Sequence, residues 1–244
     1  MRFILLSLIW VSVSLVVRAE EVPVAAPSQA YVESMSNALN VSVLVGSDVL
    51  NKIKPGQTLE AGNHVQTKDS SARIVFLDGS AVTLGKNSDF EIKTPEQDTK
   101  TKKLILISFL KMGFLHARVH HQEDPSAVPH FYIETSVAVA GVRGTEFTMS
   151  ASPDAKDFQL HVLEGKVAVA VERTKISEVP VVGSGEMVDA KGGVISRVEK
   201  FNLADYRKKL SSAHAEVHKL IYNQIKTHDE SSKSAKPNRR RRRR

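Results

Sequence analysis

The segment that most constrains this chain is residues 135–149, TSVAVAGVRGTEFTM. On both sides of its central Gly-Val-Arg-Gly, larger apolar residues alternate with small or polar ones. A period of two places one set of side chains on each face of a sheet, so strands are predicted at residues 136–140 and 145–149. Gly141 and Gly144 allow backbone angles that β-branched residues avoid, so we expect the chain to bend or bulge between the strands.

The alternation also predicts which side chains of this segment are buried. Val137, Val139 and Phe147 are expected in the core, and the alanines between the valines indicate that another layer packs closely on their face. Gly144 is expected at a backbone position that disfavours side chains. We therefore interpret the segment as a structural element.

The same segment resembles the signature of the FecR domain, a periplasmic β-domain first known from iron-dicitrate sensing in Gram-negative bacteria. The resemblance extends over about residues 41–171 and includes Leu-Glu-Gly-Lys-Val at residues 163–167. It implies an all-β sandwich or β-roll, and a role in sensing, signal relay or protein–protein contact in the cell envelope. The residues that match the signature are Gly141, Val142, Arg143, Gly144, Thr145, Glu146 and Phe147.

The start of the chain differs from that of the iron-dicitrate sensors of this family. Those sensors carry a cytoplasmic segment before a membrane helix, and that segment addresses a sigma factor. Here a single charged residue, Arg2, precedes the N-terminal apolar run. Direct sigma-factor regulation is therefore not expected, and iron transport does not carry over.

The middle of the chain independently predicts the same fold class. Short β-rich runs alternate with Gly, Pro, Asp and Asn from residue 41 to about 189, at spacings typical of a sandwich or roll. Hairpins are predicted from residues 73–77 and 82–84, and from residues 160–163 and 167–171. We expect the β-domain to span residues 39–195.

The N-terminal residues are typical of an exported protein. An apolar or small-residue run at 3–17 is followed by Arg18-Ala19 and two glutamates, which indicates a secretory signal peptide over residues 1–19, cleaved near Ala19. An uncleaved signal anchor is the alternative. Residues 20–38 are rich in Pro, Ala and Ser and are predicted to be a linker. The expected location is the periplasm or outside the cell.

The C-terminal part changes from a period of two to a helical period. Apolar residues recur in steps of three and four between Leu203 and Ile225, which predicts an amphipathic helix within residues 196–230 with Asn202 as its N-cap. This helix either docks on the β-domain or self-associates as a short coiled coil, and docking is favoured. Residues 231–244 are predicted to be a disordered tail.

Positive charge is concentrated at the two ends of the chain. The net charge is +7; subtracting the two arginines of the predicted signal peptide and the six of the tail leaves −1. The folded part therefore lacks the concentrated basic surface of a nucleic-acid reader. The tail is a candidate anion-binding segment, which makes an anionic envelope polymer or lipid headgroup an alternative partner. Its residues are Arg239, Arg240, Arg241, Arg242, Arg243 and Arg244.

No pattern in the sequence indicates catalysis or a cofactor. The chain has no cysteine, which excludes disulfides and thiolate chemistry, and it contains no nucleophile elbow or phosphate loop. The histidines at positions 116, 120, 121 and 130 are the densest imidazole group, but His116 and His120 lie far apart along a strand, so the group converges on a metal only through a partner strand or the loop, and solvated histidines are favoured. His214 and His218 share a helix face and are interpreted as polar surface residues. For Arg143 and Glu146 the alternatives are a recognition pair and a local ion pair that fixes the bend, and the ion pair is favoured.

Overall fold

The computed structural model describes residues 29–99, 102–121, 129–154, 156–179, 181–192 and 194–221. The predicted signal peptide, the first part of the predicted linker and all residues after 221 lie outside these ranges. Among the described residues, no helix is both long enough and apolar enough to cross a membrane.

The described chain is mostly β-structure, followed by a helical segment. One α-helix, α1 (Leu203–Ala213), ends at His214, and residues 215–221 are helical again. The strands are β1 (Ala30–Met35), β2 (Val41–Val45), β3 (Asp48–Leu50), β4 (Thr58–Leu59), β5 (Asn63–Thr67), β6 (Ala72–Phe76), β7 (Ala81–Leu84), β8 (Asp89–Ile92), β9 (Glu96–Gln97), β10 (Leu104–Arg118), β11 (Phe131–Glu134), β12 (Val139–Val142), β13 (Glu146–Ala151), β14 (Asp157–Glu164), β15 (Lys166–Ala170), β16 (Val181–Gly183), β17 (Glu186–Lys191), β18 (Val194–Ile195) and β19 (Glu199–Lys200).

The strands form two sheets that share β10. The first sheet has the order β4-β1-β6-β7-β10-β13-β14-β17, with β18 and β19 both beside β17. The second has the order β3-β2-β5-β8-β10-β11-β12-β15-β16. Residues 106–112 of β10 pair in the second sheet and residues 113–118 in the first. The strand β9 adds a short hairpin at the start of β10.

The core lies between the two sheets. One buried cluster contains side chains from both of them, and Phe76 of the first sheet meets Phe131 of the second edge to face, with ring centroids 4.9 Å apart. Edge-to-face contact is a favoured arrangement of aromatic rings. The predicted all-β class with a C-terminal helix is therefore confirmed.

One predicted hairpin is confirmed and the other is wrong. The strands β6 and β7 pair as an antiparallel hairpin. By contrast, β14 pairs with β13 and β17 in the first sheet, whereas β15 pairs with β12 and β16 in the second. The chain crosses between sheets at Gly165, whose φ is +84°. A glycine between two strand-like runs marks a change of direction, but it does not say whether the runs pair with each other.

The predicted linker is wrong in its second half. Residues 30–35 form β1, which pairs with β4 and β6 and buries Ala30 and Val32 in the core. The alternation in β1 has only two inward positions, Ala30 and Val32, and the surrounding Pro, Ala and Ser are typical of a linker, so the strand was not predicted. The sheet also continues past the predicted end at residue 195, because β19 pairs with β17.

The C-terminal helix is present, but it is interrupted. The predicted stripe is continuous, whereas His214 has φ −124° and ψ 50° and separates α1 from residues 215–221. Asn202 is the N-cap, and its side chain accepts from the backbone N–H groups of Ala204 and Asp205. The helix docks on the β-domain, as the favoured alternative predicts, and it covers the outer face of the first sheet.

Candidate functional site

The signature forms the corner at which the chain passes from one sheet to the other. Gly141 and Val142 lie in β12 of the second sheet, and Glu146 and Phe147 begin β13 of the first. Between them, Gly144 has φ +60°, so the expected bend is confirmed. An L side chain in this region is strained.

The Leu-Glu-Gly-Lys-Val sequence crosses between the sheets next to this corner. A Cβ at Gly165 would lie 2.8 Å from the Gly144 carbonyl oxygen, so only glycine fits here without a shift of the backbone. The Thr145 hydroxyl oxygen lies 2.8 Å from the Lys166 carbonyl oxygen and 3.0 Å from that of Arg143. The two sequence motifs therefore form one hydrogen-bonded double crossing.

The expected burial of the signature side chains is largely confirmed. Val139 and Phe147 are buried, but the core cluster contains Phe147, Ala138 and Ala140 and not Val139, so the core position expected for Val139 is wrong. Val137 is only half-buried, because β12 begins two residues after it. The preceding residues form a turn in which the Thr135 backbone N–H donates to the Ala138 carbonyl oxygen.

Glu146 is the charged centre of the outer face of the first sheet. Its side chain is 8% exposed, and one carboxylate oxygen, Oε1, lies 2.9 Å from His116 Nε2. The other oxygen, Oε2, lies 3.2 Å from Arg118 Nη2 and 3.4 Å from Arg207 Nη2. His116 and Arg118 are on β10, directly beside β13, whereas Arg207 comes from α1. This carboxylate thus joins two strands and the helix.

The surroundings of Glu146 keep it ionised. Burial alone would raise the pKa of its carboxyl group, but the hydrogen bond with His116 and the charges of His116, Arg207 and Arg118 lower the pKa to about 2. A buried carboxylate requires such partners, because an unpaired charge out of water is unfavourable.

The predicted local pair between Arg143 and Glu146 is wrong. Among the described residues, the ionic partners of Glu146 are His116, Arg118 and Arg207. The reason is geometric: Arg143 lies in the corner before β13, whereas the Glu146 side chain points to the outer face, where β10 and α1 supply cations.

An aromatic cluster docks α1 on the same face. The Tyr206 ring stacks on His161 of β14 with centroids 4.2 Å apart, and Phe201 packs edgewise against both. The Tyr206 hydroxyl lies 2.7 Å from the Thr148 hydroxyl, two residues along β13 from Glu146. Burial lowers the pKa of His161 to about 4, so this ring stays neutral near neutral pH.

The residues after the break complete the docking. His214 stacks on Phe114 with centroids 3.8 Å apart, and burial lowers its pKa. Val217 and Leu220 are buried, and the Ser36 hydroxyl donates to the Glu216 carboxylate at 2.7 Å. The interpretation of His214 as a polar surface residue is therefore wrong, whereas His218 is exposed.

A cleft of about 200 Å³ remains between the sheet and the helical segment. We call it the Glu146 cleft. Its sheet side is formed by charged or polar side chains and its helix side mainly by apolar ones; they include His116, Arg118, Glu146, Arg207, Leu210 and Val217. Sequence reasoning missed Arg207, Tyr206 and His161 as members of this site. The available signal was the alternation of Glu146 and Thr148 with buried residues, which places both on the outer face.

The histidines considered for metal binding do not converge. His116 pairs with Glu146, whereas His130 Nε2 lies 3.6 Å from the Asp78 carboxylate. Within the described ranges, no group of three or more His, Cys, Asp or Glu residues is arranged to hold a metal ion. The arginines of the predicted anion-binding tail lie outside those ranges.

The sequence matches a known protein family over part of its length. A family model with the description FecR protein matches residues 63–168, which run from β5 into β15. No curated protein matches the sequence.

This chain is similar to two crystal structures of a protein from Parabacteroides distasonis ATCC 8503. That protein is described as a proposed anti-sigma factor. The first, at 1.65 Å resolution, has 18% identity and a TM-score of 0.47. The second, at 2.50 Å resolution, has 17% identity and a TM-score of 0.46. In both cases the match covers 61% of this chain and 64% of the other chain. Both motifs of the double crossing lie within the matched range, so residues 63–168 of this chain carry a match to the FecR protein family model.

Proposed function

We propose that this protein is a non-enzymatic module of the cell envelope that relays a signal through contact with a protein partner. The observation that carries the proposal is the docking of α1 on the FecR signature strand. Arg207 contacts Glu146, and Tyr206 contacts Thr148, so two neighbouring helix residues reach two outward-facing residues of β13.

The helix is held in a way that suits exchange with a partner. No residue of α1 is fully buried, and its contacts with the sheet include one ion pair, one hydroxyl hydrogen bond and an aromatic stack. Elements with few buried apolar contacts open at low free-energy cost. A partner that binds α1, or the face beneath it, therefore changes the docking without unfolding the β-sandwich.

The location belongs to the same proposal. The apolar run at residues 3–17 and the small residues near Ala19 support export and cleavage, so the proposed location is the periplasm or outside the cell. The partner is then an envelope protein.

Photo-crosslinking in the native envelope tests this proposal. A photoreactive residue at the exposed Lys208 of α1 should give an adduct with an envelope protein, and Tyr206→Ala should change its yield by loosening the helix. The same group at the exposed Lys52, in the loop after β3, is the matched control. Equal adducts at both positions, or none at position 208, would contradict the proposal.

A second candidate function rests on the arginines at the end of the chain. Six consecutive guanidinium groups follow a chain that otherwise sums to −1 without its predicted signal peptide, and each of them pairs well with phosphate or carboxylate. In this alternative the protein binds an anionic envelope polymer or lipid headgroup. If the protein is retained on envelope material at low salt and released at high salt, this alternative is favoured over a protein partner, because salt screens exposed charges.

A further inference from the structure

We infer that the Glu146 cleft binds a small carboxylate that carries a compact apolar group. The inference rests on the proposed function in one respect: the cleft exists only while the helical segment is docked on the first sheet. It adds a ligand to that docking.

The first argument is the charge balance of the cleft. The side chains of Arg118 and Arg207 are 58% and 47% exposed, and each contacts Glu146 through one terminal nitrogen. A guanidinium has five N–H donors, so both retain donors for a second acceptor. Two guanidinium charges face one carboxylate, which leaves an excess positive charge to attract an anion.

The second argument is the opposite wall. Leu210 of α1, together with Val217 and Ile221 of the helical residues after the break, lines the cleft. An apolar wall beside a pair of guanidiniums matches a ligand that is apolar on one side and anionic on the other. A strongly hydrated anion such as phosphate would leave the wall unused, so a carboxylate with an alkyl group is the better match.

The third argument is size. The volume of about 200 Å³ equals that of about seven water molecules, at roughly 30 Å³ each in the liquid. Sites for drug-sized ligands occupy about 300–1,000 Å³. The occupant is therefore about as large as one branched amino-acid residue. Two sources share this chemistry: a free short-chain acid, and the carboxyl-terminal residue of a peptide.

The position of the cleft gives such a ligand a consequence for docking. Arg118 belongs to β10, whereas Arg207 and the apolar wall belong to the helical segment. A ligand that contacts both sides binds only the docked arrangement and stabilises it by mass action.

Titration calorimetry on the full chain tests the inference with four probes. These are 4-methylpentanoate, 4-methylpentanamide, the peptide acetyl-Ala-Ala-Leu with a free carboxylate, and the same peptide as its amide. We expect each acid to bind at least about tenfold more tightly than its amide, because hydrogen bonds to charged groups are the stronger ones. Tighter binding of the free acid identifies a metabolite-like source, and tighter binding of the peptide acid identifies a chain terminus. Equal binding of acids and amides, or no binding of any probe, would overturn the inference.

Arginine variants distinguish binding in the cleft from attraction to the overall positive charge. Arg118→Gln should weaken acid binding at least about tenfold, and its position on β10 leaves the helix side intact. Arg207→Gln should do the same. Arg197→Gln removes an equal charge from an exposed position outside the cleft and should leave binding unchanged. Thermal melts of each variant establish that it is folded, and equal binding by wild type and folded Arg118→Gln would refute the site.

The two proposals fail separately. An envelope-protein adduct at position 208, with no acid bound in calorimetry, removes the ligand and retains the relay. Acid binding that requires Arg118, with no adduct, removes the protein partner and retains the ligand site.

Discussion

Glu146 and Arg207 are separated by 61 positions in the sequence, yet the carboxylate oxygen Oε2 of the first lies 3.4 Å from Nη2 of the second. This contact joins the FecR signature to the C-terminal helix. The other partners of the same carboxylate, His116 and Arg118, come from β10, so one buried charge connects three elements. The signature is therefore both a sheet-crossing corner and the surface that receives the helix.

Replacing Glu146 by glutamine should lower the free energy of unfolding by about 1–3 kcal/mol. The variant keeps the shape of the side chain but removes the charge that pairs with His116, Arg118 and Arg207. Urea denaturation measures the change. Glu199→Gln, at an exposed position, is the control and should remain close to wild type. Equal stabilities of the two variants would show that Glu146 does not hold the helix.

Replacing Gly165 by alanine should cost about 2–5 kcal/mol, because a left-handed backbone and a close approach act together. Its φ is +84°, and the new Cβ would meet the Gly144 carbonyl oxygen at 2.8 Å. Gly185 has φ +78° with nothing within 4 Å, so Gly185→Ala measures the backbone cost alone. Chemical denaturation of the two variants measures the difference that is due to the contact with the Gly144 carbonyl oxygen. Equal losses of unfolding free energy in the two variants would mean that the two crossings do not touch.

Stability should fall as the pH is lowered from about 6.5 towards 4. Burial lowers the pKa of His161 from 6.5 to about 4, so in this range the unfolded state binds more protons than the folded state. His161→Phe keeps an aromatic ring against Tyr206 and should lose less stability between pH 7 and pH 5 than wild type does. Thermal melts at the two pH values provide the measurement. His218→Gln should behave like wild type, and a pH response in His161→Phe as large as that of wild type would argue against this origin.

Deleting residues 239–244 should leave the melting temperature unchanged and reduce retention on anionic vesicles at low salt. Six like charges add no apolar side chain to the core, but they exchange counterions at a polyanion. Sedimentation with vesicles that contain phosphatidylglycerol measures retention. Equal retention of the truncated and full-length chains would exclude the tail as the binding segment.

Protein purified from its native envelope should lack tryptophan emission. The single tryptophan, Trp10, lies within the predicted signal peptide, so cleavage after Ala19 leaves only tyrosines as emitters. Intact mass should match residues 20–244, or a shorter form if the tail is trimmed. Tryptophan emission from the membrane fraction would favour the signal anchor instead.

Much of the fold follows from local patterns in the sequence. The alternation around Phe147 and the positive φ of Gly144 follow from side-chain period and from the freedom of glycine, both of which act within a few residues. The three-and-four spacing after Leu203 predicted the helix for the same reason. The outward direction of Glu146 was also implied, since it alternates with buried neighbours.

Which strands and side chains become neighbours depends on contacts between residues that are far apart in the sequence. The period of β14 and β15 predicts two strands, but their pairing in different sheets depends on which edges β12 and β17 offer. The alternation in β1 is too short to stand out, and it becomes a core strand because β6 supplies a partner. Arg207 meets Glu146 because the helix folds back across β13 and brings a cation to a carboxylate that burial would otherwise leave unpaired. A period of two specifies the face on which a side chain lies, and packing of the whole chain determines what lies opposite it.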